Sequence, residues 1–115
     1  MNGFNKPAVF TNILSGSNVT SAISIHGMEL LSAWLPIINS SQVFVWLGFN
    51  QSSESFTRLR SETNPSSDFF FEVAAGSRSA IIPEAAGGAR YIKIQTGVNQ
   101  TDTRTLVVMG KRLVI

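Results

Sequence analysis

An antiparallel β-sandwich is the fold class this sequence predicts, and three observations predict it. Short apolar runs follow one another at strand spacing from Val19 onward. The gaps between them are filled by residues that turn a chain, and almost no stretch has a helical stripe long enough to stand alone. The runs fall near residues 19–25, 28–35, 42–49, 55–60, 68–73, 78–82, 89–96 and 103–115.

Residues 1–17 read as an N-terminal arm and 18–115 as the sandwich domain. The arm contains Phe4, Val9, Phe10, Ile13 and Leu14, too apolar for a disordered tail, so it is expected to lie against its own domain, or to extend and lay its apolar residues on a neighbouring subunit. Its apolar run is broken by Thr11 and Asn12, short of a signal-peptide core or a membrane span, which predicts an unprocessed, soluble chain with no membrane partner. The run 29–35 places Leu30, Leu31, Trp34 and Leu35 where one helical turn is conceivable, but Pro36 and the short length favour a strand.

The run 42–49 is apolar on both pleated faces, with Val43, Val45, Leu47 and Phe49 on one and Phe44 and Trp46 on the other. A sandwich strand needs only one buried face, so a loop, the arm or another subunit is expected to cover the second; Phe69, Phe70 and Phe71 raise the same requirement. Residues 90–96 alternate strictly, Ile92 and Ile94 inward and Tyr91, Lys93 and Gln95 outward, and the polar turn after Gly97 predicts a closing β-hairpin with 103–115. An outward face of this kind suits a binding or assembly surface.

Chemistry-bearing residues are scarce. The chain of 115 residues, 43% hydrophobic, allows one domain with a real core, which without cysteine holds by burial alone. His26 is the only histidine, so His/Cys zinc sites are excluded and a catalytic triad has one base to draw on. No carboxylate pair stands in a recognisable motif, and the glycines at 87–88 lead into a strand where a phosphate cradle leads into a helix. No enzyme and no cofactor are expected. Four N-x-S/T sequons, at Asn18, Asn39, Asn50 and Asn99, follow from an Asn-, Ser- and Thr-rich composition.

Charge is sparse and uneven. Residues 90–115 carry Arg90, Lys93, Arg104, Lys111 and Arg112 against Asp102, a net of 5 − 1 = +4, in a chain of net +2. Density is too low, and the aromatic spacing of RNA-binding sheets absent, so direct nucleic-acid binding is not expected; the basic end would instead orient an encounter with a complementary subunit. Asp102 and Arg104, two apart, are placed to pair, a contact worth little if exposed. Trp34, Trp46 and Tyr91 raise the alternative of a carbohydrate-binding module, which needs two of them in an open groove beside Asn or Arg.

The series Gly88-Ala89-Arg90-Tyr91-Ile92-Lys93-Ile94, Gly97, Asn99-Gln100 and Asp102-x-Arg104-Thr105-Leu106 resembles the closing segment of small proteins encoded among the head and structural genes of tailed bacteriophages and prophages. Leu35-Pro36, the run 43–49 and 73–83 follow the same pattern in the same order, covering most of 25–109; after Asn50 the family's tight Asp-Gly turn is replaced by Gln-Ser-Ser-Glu-Ser. The resemblance implies a jelly-roll-like virion structural protein, made in the host cytoplasm and placed on the capsid surface as a decoration or cement protein. Its partners would be the major capsid protein or other virion subunits and copies of itself, a trimer being favoured. The alternative places a glycan-binding module on a fibre or tail. Interface candidates are Phe4, Val9, Phe10, Ile13, Phe44, Trp46, Tyr91, Arg90 and Arg104.

Overall fold

The computed structural model describes residues 3–5, 8–25, 29–39, 42–51, 55–60, 70–72, 78–81 and 90–114. Among them lie the strands β1 (Gly3–Asn5), β2 (Ala8–Ile13), β3 (Ile23–Ser24), β4 (Glu29–Leu35), β5 (Gln42–Gly48), β6 (Thr57–Arg58), β7 (Phe70–Glu72), β8 (Arg78–Ile81), β9 (Tyr91–Thr96) and β10 (Arg104–Val114). No α-helix occurs among the described residues, and 29–35, where one helical turn was conceivable, is strand β4.

The strands form two antiparallel sheets. In the first, β10 pairs with β4, which pairs with β8, while β1 and β2 follow one another along the other edge of β10. In the second, β9 lies between β3 and β5, and both β6 and β7 pair with β5. The pairs are nested: β2 with β10, β3 with β9, β4 with β8, β5 with β7. The chain therefore runs as one long hairpin folded over itself.

Alternation explains the core. The first sheet turns Ile13, Ala33, Leu35, Leu106 and Val108 inward, the second Ile23, Val43, Val45, Ile92 and Ile94, and all are buried in one cluster completed by Ile25 and Leu59. Ile92 and Ile94 sit at 0% exposure, as their period requires, with Tyr91, Lys93 and Gln95 facing outward. Burying each aliphatic side chain contributes about 1.5–3 kcal/mol against the entropy of ordering the chain.

Three expectations change. The closing hairpin does not form, because β9 and β10 belong to opposite sheets and residues 97–103 cross the end of the sandwich between them. Of the expected arm, Gly3–Asn5 and Ala8–Ile13 pair with β10 of their own chain, and Ile13 joins the core. Ser15 and Thr103 then close the end by a 3.2 Å backbone-to-hydroxyl bond. Phe49, expected to continue the face of Val43, Val45 and Leu47, lies past the end of β5 and is 77% exposed.

Candidate functional site

The crossing loop shows how the end of the sandwich is fixed. Gln100 is buried, and each atom of its carboxamide is occupied: Oε1 accepts from the Asn39 amide at 2.8 Å and Arg104 Nε at 3.3 Å, while Nε2 donates to Thr96 Oγ1 at 3.0 Å. Asn39 Oδ1 accepts in turn from Thr101 Oγ1 and Arg104 Nη2, both at 2.9 Å. The sequon asparagine at 39 is thus a structural tie. Arg104 reaches Asp102 only at 4.0 Å, with the carboxylate 77% exposed, so that ion pair contributes little beside the tie itself.

The outward face of the second sheet carries the densest chemistry. Register places Lys93, Trp46 and Arg58 in one row across β9, β5 and β6, and Gln95 beside Phe44 in the next. The Arg58 guanidinium lies 4.3 Å from the Phe44 ring centroid and 5.3 Å from that of Trp46, within cation–π range. Gln95 Oε1 ties the rows together, accepting from Trp46 Nε1 at 2.9 Å and Arg58 Nη2 at 2.8 Å. The apolar second face of β5 is therefore covered by residues of its own chain, Arg58 above all.

Phe56 supplies the next piece of cover, and a glycine makes room for it. A Cβ at Gly48 would stand 2.8 Å from Phe56 Cζ, closer than any side chain tolerates, so only glycine lets the ring rest on the strand. Lys93 Nζ sits 4.4 Å from the centre of that ring. Between these groups opens a concavity of about 220 Å³ walled by Val19, Trp46, Phe56, Lys93 and Gln95.

The outward face of the first sheet is built differently. Phe10, Val107 and Trp34 stand in one register row across β2, β10 and β4, followed by the row Ala8, Met109 and Ser32. Phe10 is 72% and Trp34 37% exposed, and no charged residue stands in these two rows on β2, β10 and β4.

The sequence candidates are thus divided. Phe44, Trp46 and Tyr91 share the second sheet's outer face, Phe10 the first's; Ile13 is core, and Val9 packs against the core. Arg90 is exposed where β9 begins and Arg104 sits beyond its other end, so the two do not form one basic patch. The side chains of Phe4, Lys111 and Arg112, and all of His26 and Phe69, lie outside the described residues. Only Trp46 of the three candidate sugar platforms lines the concavity. Sequence reasoning missed Arg58, Phe56 and Gly48; a glycine inside an apolar strand was the one available signal. Among the described residues, no three His, Cys, Asp or Glu side chains gather as metal ligands.

No family model matches the chain, and no curated protein matches it. Among solved structures it is similar to the SPBc2 prophage-derived protein YomS, with a TM-score of 0.55 and 10% identity over 94% of each chain. A chain of the disulfide-linked pili that form Bacillus endospore appendages is matched at a TM-score of 0.38 and 13% identity, over 96% of this chain and 88% of that one. The first likeness shows a shared fold; the second is too distant to carry an argument.

Proposed function

We propose that the protein is a virion structural subunit of a tailed phage or prophage, a jelly-roll-like sandwich that decorates the capsid surface and cements its subunits. The observation that carries this reading is the row Phe10–Val107–Trp34, an aromatic patch left open on a sheet face beside β2, which among the described residues pairs only with β10. Soluble monomers rarely leave aromatic patches in water, and an edge strand invites pairing. The resemblance of residues 88–106 to phage head proteins and a fold shared with a prophage-derived protein agree with it. Partners in this reading are the capsid shell and further copies of the chain, a trimer first. No catalytic residue or cofactor enters it.

Phe10→Ser and Trp34→Ser test the reading. Each removes about 1.5–3 kcal/mol of burial from an interface, roughly one to two orders of magnitude in Kd, while leaving the fold intact. Self-association is read by analytical ultracentrifugation and attachment by co-sedimentation with phage heads. A wild-type chain that stays monomeric at high concentration and does not sediment with heads would overturn the proposal.

A further inference from the structure

We propose that the concavity on the outer face of the second sheet is a binding site for a single carboxylate-bearing sugar ring. The orientation of Gln95 starts the argument. Its Oε1 accepts from both Trp46 Nε1 and Arg58 Nη2, so the opposite flip, which would set an NH₂ against two donors, is excluded. The amide nitrogen is directed away from those donors and makes no hydrogen bond among the described residues, while Gln95 itself lines the concavity.

Lys93 adds the second donor. Its ammonium rests on the Phe56 ring and forms no ion pair among the described residues. Among the described residues, the side chains lining the concavity therefore bring an ammonium, an amide NH₂ and three apolar walls, Val19, Trp46 and Phe56, but no free acceptor. A complementary ligand needs an anionic acceptor at one end and a C–H-rich body at the other. An acidic sugar ring has both, since its carboxylate meets Lys93 and Gln95 while its C–H face covers the aromatic carbon. An acidic peptide side chain would satisfy the charge and leave Trp46 and Phe56 wet.

Size and rigidity agree. About 220 Å³ is smaller than the roughly 300–1,000 Å³ of clefts for drug-sized ligands, and suits one ring. Trp46 is held by Arg58 and Gln95, and Phe56 by the gap over Gly48, so little ordering is left for the binding step. The site shares no residue with the Phe10–Trp34 row and stands independently of the assembly reading.

The test is a proton–nitrogen NMR titration of the full chain with a galacturonic acid trimer, with neutral maltotriose and triglutamate as controls. The acidic trimer is expected to shift the Trp46 indole and Gln95 amide resonances saturably, and the controls to leave them in place. Gln95→Glu keeps an acceptor for Trp46 and Arg58 but removes the donor and adds a negative charge; Lys93→Gln removes the cation without touching the tie. Each is expected to weaken binding roughly tenfold or more. Phe10→Ser, in contrast, is expected to bind the trimer normally, which separates failure here from failure of the assembly reading. No shift with the acidic trimer, equal shifts with maltotriose, binding unchanged in Lys93→Gln, or stronger binding of triglutamate each overturns the proposal.

Discussion

The two outer faces of the sandwich differ in whether the chain completes them. On the second sheet, Phe44 and Trp46 face outward but are half-buried, with Arg58 lying over both rings. On the first, Phe10 and Trp34 face outward and remain exposed beside Val107. What separates the two faces is whether register brings a cation over the aromatics: the covered face retains only a small gap beside Trp46 and Phe56, while the open one leaves Phe10 and Trp34 exposed.

The comparison rests on a common core, and breaking that core gives the largest effect. Ile94→Asp places an unpaired carboxylate at a site with 0% exposure and is expected to cost roughly 4 kcal/mol or more, a large part of a stability of about 5–15 kcal/mol. Urea unfolding should show both faces lost together; a wild-type midpoint would mean that the inward side of β9 has been misassigned. Gln100→Ala is expected to cost about 2–3 kcal/mol by orphaning the Asn39 amide, removing the bond to Thr96 Oγ1 and loosening Arg104, while Thr96 Oγ1 keeps its bond to the Val98 carbonyl. Hydrogen exchange should rise across 97–103 while self-association and Trp46 fluorescence hold, since neither face contains Gln100.

Gly48→Ala sharpens the contrast most directly, with an expected cost of about 1–3 kcal/mol from overpacking against Phe56. The second face should change and the first should not: Trp46 fluorescence shifts as Phe56 is displaced, with association through Phe10 and Trp34 intact. Parallel loss of association would show that the faces are coupled, and that treating them as separate surfaces is wrong.

Much of the fold was legible because strand period and turn chemistry agree along most of the chain. Ile92 and Ile94, or Val43 and Val45, declare their inward side without tertiary knowledge. β2 did not, because its pattern misleads: the half-buried and buried positions are Val9, Thr11 and Ile13, while its largest apolar residue, Phe10, faces water. Reading apolar content as burial made an arm of a strand. The hairpin at 97–103 was misjudged for a related reason, since a polar turn between two strands looks the same whether they pair or part to opposite sheets. The candidate site was the least legible part. Trp46, Arg58 and Gln95 meet only through register, and no local spacing announces that one carboxamide oxygen takes both donors.

The pairing of β2 with β10 has a further consequence during synthesis. Val107, the middle of the exposed row, is the partner of Phe10 from one direction and of Trp34 from the other. While the chain is still emerging from the ribosome, β2 and β4 have nothing between them to pair with, because the strand that joins them is made after both. A truncated product that stops before residue 104 can therefore display neither the aligned row nor the paired strand beside it. Synthesis of β10 becomes the step that creates this face, enforced by topology and requiring no separate factor.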